Sequence, residues 1–67
     1  MRQTDDLKVL YRVTDAMRIL SMGRSAIYDQ LRAGRLRSVK QGRVRLIPAT
    51  AIVEYVSLLE REAEEAA

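Results

Sequence analysis

The chain has 67 residues, with 12 Lys or Arg against 9 Asp or Glu, a net charge of +3, and neither cysteine nor histidine. That length allows one domain with a small core, and the composition excludes disulfides, thiolate metal sites and histidine as a general base or zinc ligand. The opening MRQTDDLK lacks the apolar segment of a signal peptide and no apolar run is long enough to span a membrane, so a soluble cytoplasmic protein is expected.

Residues 1–8 are polar and aperiodic and are expected to form a flexible tail ahead of a domain over residues 9–59. VLYRV, Val9 to Val13, is rich in β-branched and aromatic residues and reads as a short strand. Thr14 stands where an N-cap belongs, with Asp15 behind it in the first turn. Ala16, Ile19 and Leu20 then place apolar side chains at helical spacing, predicting a first helix over about 15–21. SMG, Ser21 to Gly23, breaks that pattern. RSAIYDQLRA follows as a second helix over 24–33, its inner face marked by Ile27 and Leu31 and flanked by Ala26, and Gly34 suits the left-handed position that ends it. Two short helices around a tight glycine-containing turn make a helix-turn-helix.

Beyond Gly34 the period shifts toward two. LRSVKQGRVRLI alternates imperfectly and turns at Gln41-Gly42, a register that sets Val39 opposite Val44, Lys40 opposite Arg43 and Ser38 opposite Arg45. Pro48 closes the strand. ATAIVEYVSLLEREAEEAA is a third helix from Ala49 to about Ala63, with Ile52, Tyr55, Val56 and Leu59 as its apolar stripe, and residues 60–67 are its acidic end or tail. The fold expected is mainly α with a small β-hairpin (α+β). It is a winged helix-turn-helix with a C-terminal third helix, whose second helix would enter a major groove and whose hairpin would be the wing.

Charge is segregated along the chain. Residues 30–53 carry Arg32, Arg35, Arg37, Lys40, Arg43 and Arg45 without one carboxylate, whereas residues 54–67 carry five glutamates against Arg61. Ten of the twelve cations are arginine, the side chain suited to bidentate phosphate and base-edge contacts. Lys40, Arg43 and Arg45 crowd into one hairpin with no carboxylate within ten residues of Lys40, so local neutralisation fails there.

The run YRVTDAMRILSMGRSAIYDQLRAGRLRSVKQGRVRLIPATAIVEYV, Tyr11 to Val56, resembles the excisionase-type helix-turn-helix family, small MerR-like winged-helix proteins of phages and integrative elements. RVTDAMRIL matches the first helix, GRSAIYDQLRAGRL the recognition helix and its glycine exit, VKQGRVRLIP the wing, and AIVEYV the start of the closing helix. The resemblance implies DNA binding beside attachment sites, often with bending, and control of an integrase toward excision; other members are small transcription regulators. Two residues depart from the pattern. Gly23 stands where Ser or Thr often caps the recognition helix, and Asp29 lies on a face expected to be basic or neutral, where it reads a cytosine amino group or ties down a neighbouring arginine.

The candidate recognition-helix contacts are Arg24, Ser25, Tyr28, Asp29 and Arg32, with Arg24 placed for a guanine edge and Tyr28 divided between DNA and sideways packing on the core. The wing offers Lys40, Gln41, Arg43 and Arg45, with Arg43 at the tip as candidate for a narrow minor groove. A carboxylate partner for Arg45, if any, would be Glu54. Thr14, Arg35 and Arg37 are phosphate candidates. No catalytic residue, metal or cofactor is expected, and an enzyme is not. The partners expected are double-stranded DNA, a phage or element integrase, and further copies of the chain head to tail on DNA. For the acidic end, a solubilising helix terminus competes with a partner site. The alternatives are a small helix-turn-helix transcription regulator and, from another class, a protein-interaction module that docks through the third helix.

Overall fold

A computed structural model describes residues 9–66, so the tail expected over residues 1–8 lies outside the described residues. The elements are β1 (Leu10–Arg12), α1 (Val13–Leu20), α2 (Arg24–Arg32), β2 (Val39–Gln41), β3 (Val44–Pro48) and α3 (Ala49–Ala66). The strands form one antiparallel sheet in the order β1-β3-β2, so the expected hairpin is extended by β1. Three helices around this sheet make an α+β winged helix-turn-helix.

Helix α1 starts two residues before the expected position. Its N-cap is Arg12, in extended backbone, and Thr14 lies inside the first turn rather than capping it. Two features favour the earlier start. The Asp15 carboxylate accepts the Arg12 backbone N–H at 3.2 Å, which supplies one half of a capping box. Val13, Ala16, Met17 and Leu20 then share one face at i, i+3, i+4 and i+7, and all four are buried or half-buried. Ile19, expected inward, falls off that face and is 49 % exposed. Ser21 ends the helix in the left-handed conformation, and Met22 N–H returns to Met17 C=O at 2.9 Å.

Helix α2 begins where the sequence places it. Gly23 is its N-cap, and Ile27 N–H closes the first helical bond to Gly23 C=O at 3.0 Å. Ile27 is fully buried and Leu31 half-buried. Gly34 has φ +78°, and around it Gly34 N–H bonds Leu31 C=O while Arg35 N–H bonds Gln30 C=O. That pair of bonds is the Schellman exit, and it delivers Leu36 into the core at 1 % exposure.

The hairpin register differs from the expected one by two residues. Val39 faces Leu46, Lys40 faces Arg45 and Gln41 faces Val44, which leaves Gly42 and Arg43 as the two-residue turn. Gly42, at φ +63°, takes the first central position, where a tight hairpin favours a glycine with positive φ. The cross-strand repulsion therefore lies between Lys40 and Arg45, and Arg43 stands at the tip.

Helix α3 is tied in at its start by Ala49 N–H to Val9 C=O at 2.8 Å and runs three residues past the expected end. Ala51, Ile52 and Tyr55 join Val13, Ala16, Ile27, Leu36 and Ile47 as the buried core. Val56 and Leu59, expected to continue the inner stripe, are 39 % and 38 % exposed, because the core ends at Tyr55 and the helix continues beyond it.

Candidate nucleic-acid interface

Gly23 directs the start of α2 outward, so Arg24 and Ser25 are both exposed at its N-terminal end. One turn on, Tyr28 is half-buried, packing against the core on one side and lining a cleft on the other. Asp29 and Arg32 are exposed and ion-paired with each other, so Asp29 does tie down a neighbouring arginine. The basic character of this helix is thereby concentrated at Arg24.

Between α2, the start of α1 and the wing lies an open cleft of about 360 Å³. Its walls are Arg12, Val13, Thr14, Tyr28, Lys40, Arg43, Val44 and Arg45. Four of these eight side chains are cations and none is a carboxylate. Arg45 is half-buried and donates from Nη1 to Ser38 Oγ at 2.9 Å, which holds it beside Lys40 despite the like charge. No hydrogen bond or ion pair is found for the side chains of Arg24, Lys40 and Arg43 among the described residues. Gln41 is exposed at the end of β2, next to the tip.

Arg35 and Arg37, the other two phosphate candidates, are engaged elsewhere. Arg35 binds both oxygens of Glu62 on α3, Nη1 to Oε2 at 2.6 Å and Nη2 to Oε1 at 2.7 Å, and its Nε donates to Gln30 Oε1 at 2.6 Å. Arg37 pairs with Glu54, with Nε and Nη2 at 2.9 Å and 2.8 Å from Oε1. Glu54 thus serves Arg37, and not Arg45 as the sequence suggested. The bidentate hydrogen bonds from Arg35 hold the Glu62 carboxyl below its usual range, and those to Glu62 push the guanidinium up. Both arginines lie past the end of the recognition helix and reach α3, so a phosphate would have to displace a carboxylate to bind either.

A family model described as a helix-turn-helix domain matches residues 10–57, from β1 into α3. The chain belongs to the helix-turn-helix domain family. The resemblance to excisionase-type members read from Tyr11 to Val56 is borne out. A curated relative from Saccharopolyspora erythraea, named "Probable excisionase", is 40 % identical over 52 residues, covering 78 % of this chain and 53 % of that protein. The chain therefore spans about half the length of that relative. No solved structure matches. Among the described residues, no helix of this helix-turn-helix domain is long and apolar enough to cross a membrane.

One cation of the cleft, Arg12, is not among the contacts the sequence suggests. With Thr14 as the cap, Arg12 would be a strand residue without a role. Once the helix starts at Val13, Arg12 sits at the corner between β1 and α1 and faces the wing across the cleft. The signal was the arginine adjoining a helix start, legible only after the cap position is known.

Proposed function

We propose that this helix-turn-helix protein binds double-stranded DNA sequence-specifically and acts as an excisionase, an architectural factor that directs an integrase toward excision. The cleft between recognition helix and wing carries this reading, since its four cations lie on one side of the molecule with no carboxylate among them. Helix α2 enters the major groove with Arg24 and Ser25 leading. Arg24 takes a guanine edge, and Ser25 and Tyr28 meet base or phosphate. Arg32, tethered by Asp29, contributes a weaker contact. The wing lies across the adjoining backbone through Lys40, Gln41 and Arg45, and Arg43 at its tip reaches a narrow minor groove. Thr14 contacts phosphate at the cleft. Arg35 and Arg37 contribute phosphate contacts to the extent that DNA displaces Glu62 and Glu54.

The excisionase role is supported by the relative named "Probable excisionase". Copies on adjacent sites bend the duplex and help assemble the integrase complex near an attachment site. A plasmid recombination assay with a phage or element integrase and its attachment sites tests the role. Added protein should raise excision and protect an array of sites next to the crossover. DNA binding at a single operator with excision unchanged would point instead to a transcription regulator.

A further inference from the structure

We propose that Arg12 binds a DNA phosphate at the mouth of the cleft, an inference that rests on the DNA-binding reading above. Arg12 is an unfavourable residue for the place it holds. An N-cap residue stabilises a helix by accepting a first-turn amide N–H, and a guanidinium has five donors and no acceptor. No side-chain cap bond forms at Arg12. Its positive charge also faces the positive end of the helix dipole. Among the described residues, the fold compensates through Asp15, which accepts the Arg12 backbone N–H and also binds Arg18 Nη2 at 2.6 Å. Among the described residues, local structure thus gives no reason for arginine here over Ser, Thr, Asn or Asp.

The reason lies across the cleft. Arg12 shares its wall with Lys40, Arg43 and Arg45, which approach from the wing, and with the polar Thr14 and Tyr28. Four cations converging on an open cleft, with no carboxylate among the described residues that line it, repel one another until an anion lies between them. A phosphodiester group running from the recognition helix toward the wing passes this point and meets the bidentate geometry that arginine offers to phosphate. Such a contact fixes the position of the first helix on the backbone and carries no sequence information.

Two variants test the assignment, Arg12→Ser and Arg12→Lys, each titrated against a duplex of unselected sequence over a salt series and melted without DNA. Arg12→Ser supplies a capping oxygen and removes the charge, so its Tm should rise while its affinity for that duplex falls. Its slope of log K against log salt should become shallower by about 0.9, the loss of one phosphate contact. Arg12→Lys should keep the wild-type slope without the gain in Tm. Wild-type slope and affinity in Arg12→Ser, or a lower Tm showing that arginine serves the fold, would overturn the proposal while DNA binding stands. Wild-type protein that binds no duplex would overturn both.

Discussion

Arg24 and the wing cations are expected to separate by what their loss does to sequence preference. Arg24→Ala should cost about 1–3 kcal/mol on the preferred sequence and little on others, because a base-edge contact is lost. Lys40→Ala should weaken every sequence alike and reduce the salt slope by about 0.9. A binding-selection experiment on both variants distinguishes the two behaviours. At the cap of α2, Gly23→Ser should stabilise the domain by a few tenths of a kcal/mol in thermal melts. The backbone there is already extended, and nothing lies within 4 Å of the position a Cβ would take. Ile27 was legible as a core residue because a helix repeats its inner face at known spacing. Leu36 and Ile47 were not. One lies in an irregular segment whose direction is set by the Gly34 exit, and the other in a strand whose inner face depends on pairing with β1.

At the scale of elements, the bidentate bond between Arg35 and Glu62 connects the exit of the recognition helix to α3, 27 residues away in sequence. Glu62→Gln should lower Tm near neutral pH and, by releasing Arg35 toward DNA, tighten binding and steepen its salt slope. The stability effect has a defined pH dependence. Glu62 titrates below its ordinary value of 4.5 in the folded protein, so its contribution is present above that value and is lost as pH falls through the depressed range. The Tm difference between wild type and variant should therefore close in acid, which melts across a pH series would read. The pair Arg37–Glu54 is more exposed and is expected to contribute at most about 1 kcal/mol. The sequence made the existence and order of every helix and of the hairpin legible. It misplaced the start of α1 because Thr14 is the better cap residue, whereas burial of Val13 decides the start. It shifted the hairpin because Gly42 occupies the first turn position and not the second. The Arg35–Glu62 contact had no sequence signal, since both residues read as members of opposite charge blocks.

For the molecule as a whole, charge segregation along the chain becomes segregation in space. The cleft and the start of α2 gather cations, and α3 carries exposed Glu60, Glu64 and Glu65 on either side of the paired Glu62. Head-to-tail association on DNA would bring that end toward the basic side of a neighbouring copy. Replacing Glu60, Glu64 and Glu65 by Gln while keeping Glu62 should then reduce cooperativity on tandem sites without changing single-site affinity. Unchanged cooperativity would leave these residues as a solubilising end. The broad division into a basic side and an acidic helix end was readable from the order of charges along the chain, but the diversion of Arg35 and Arg37 to α3 was not. On the proposed reading, the cleft and the recognition helix together neutralise a stretch of DNA backbone. Titrating the binding constant on duplex DNA against salt decides this. With roughly five phosphates neutralised, log K should fall against log salt with a slope near −4 to −5. A slope indistinguishable from zero would contradict it.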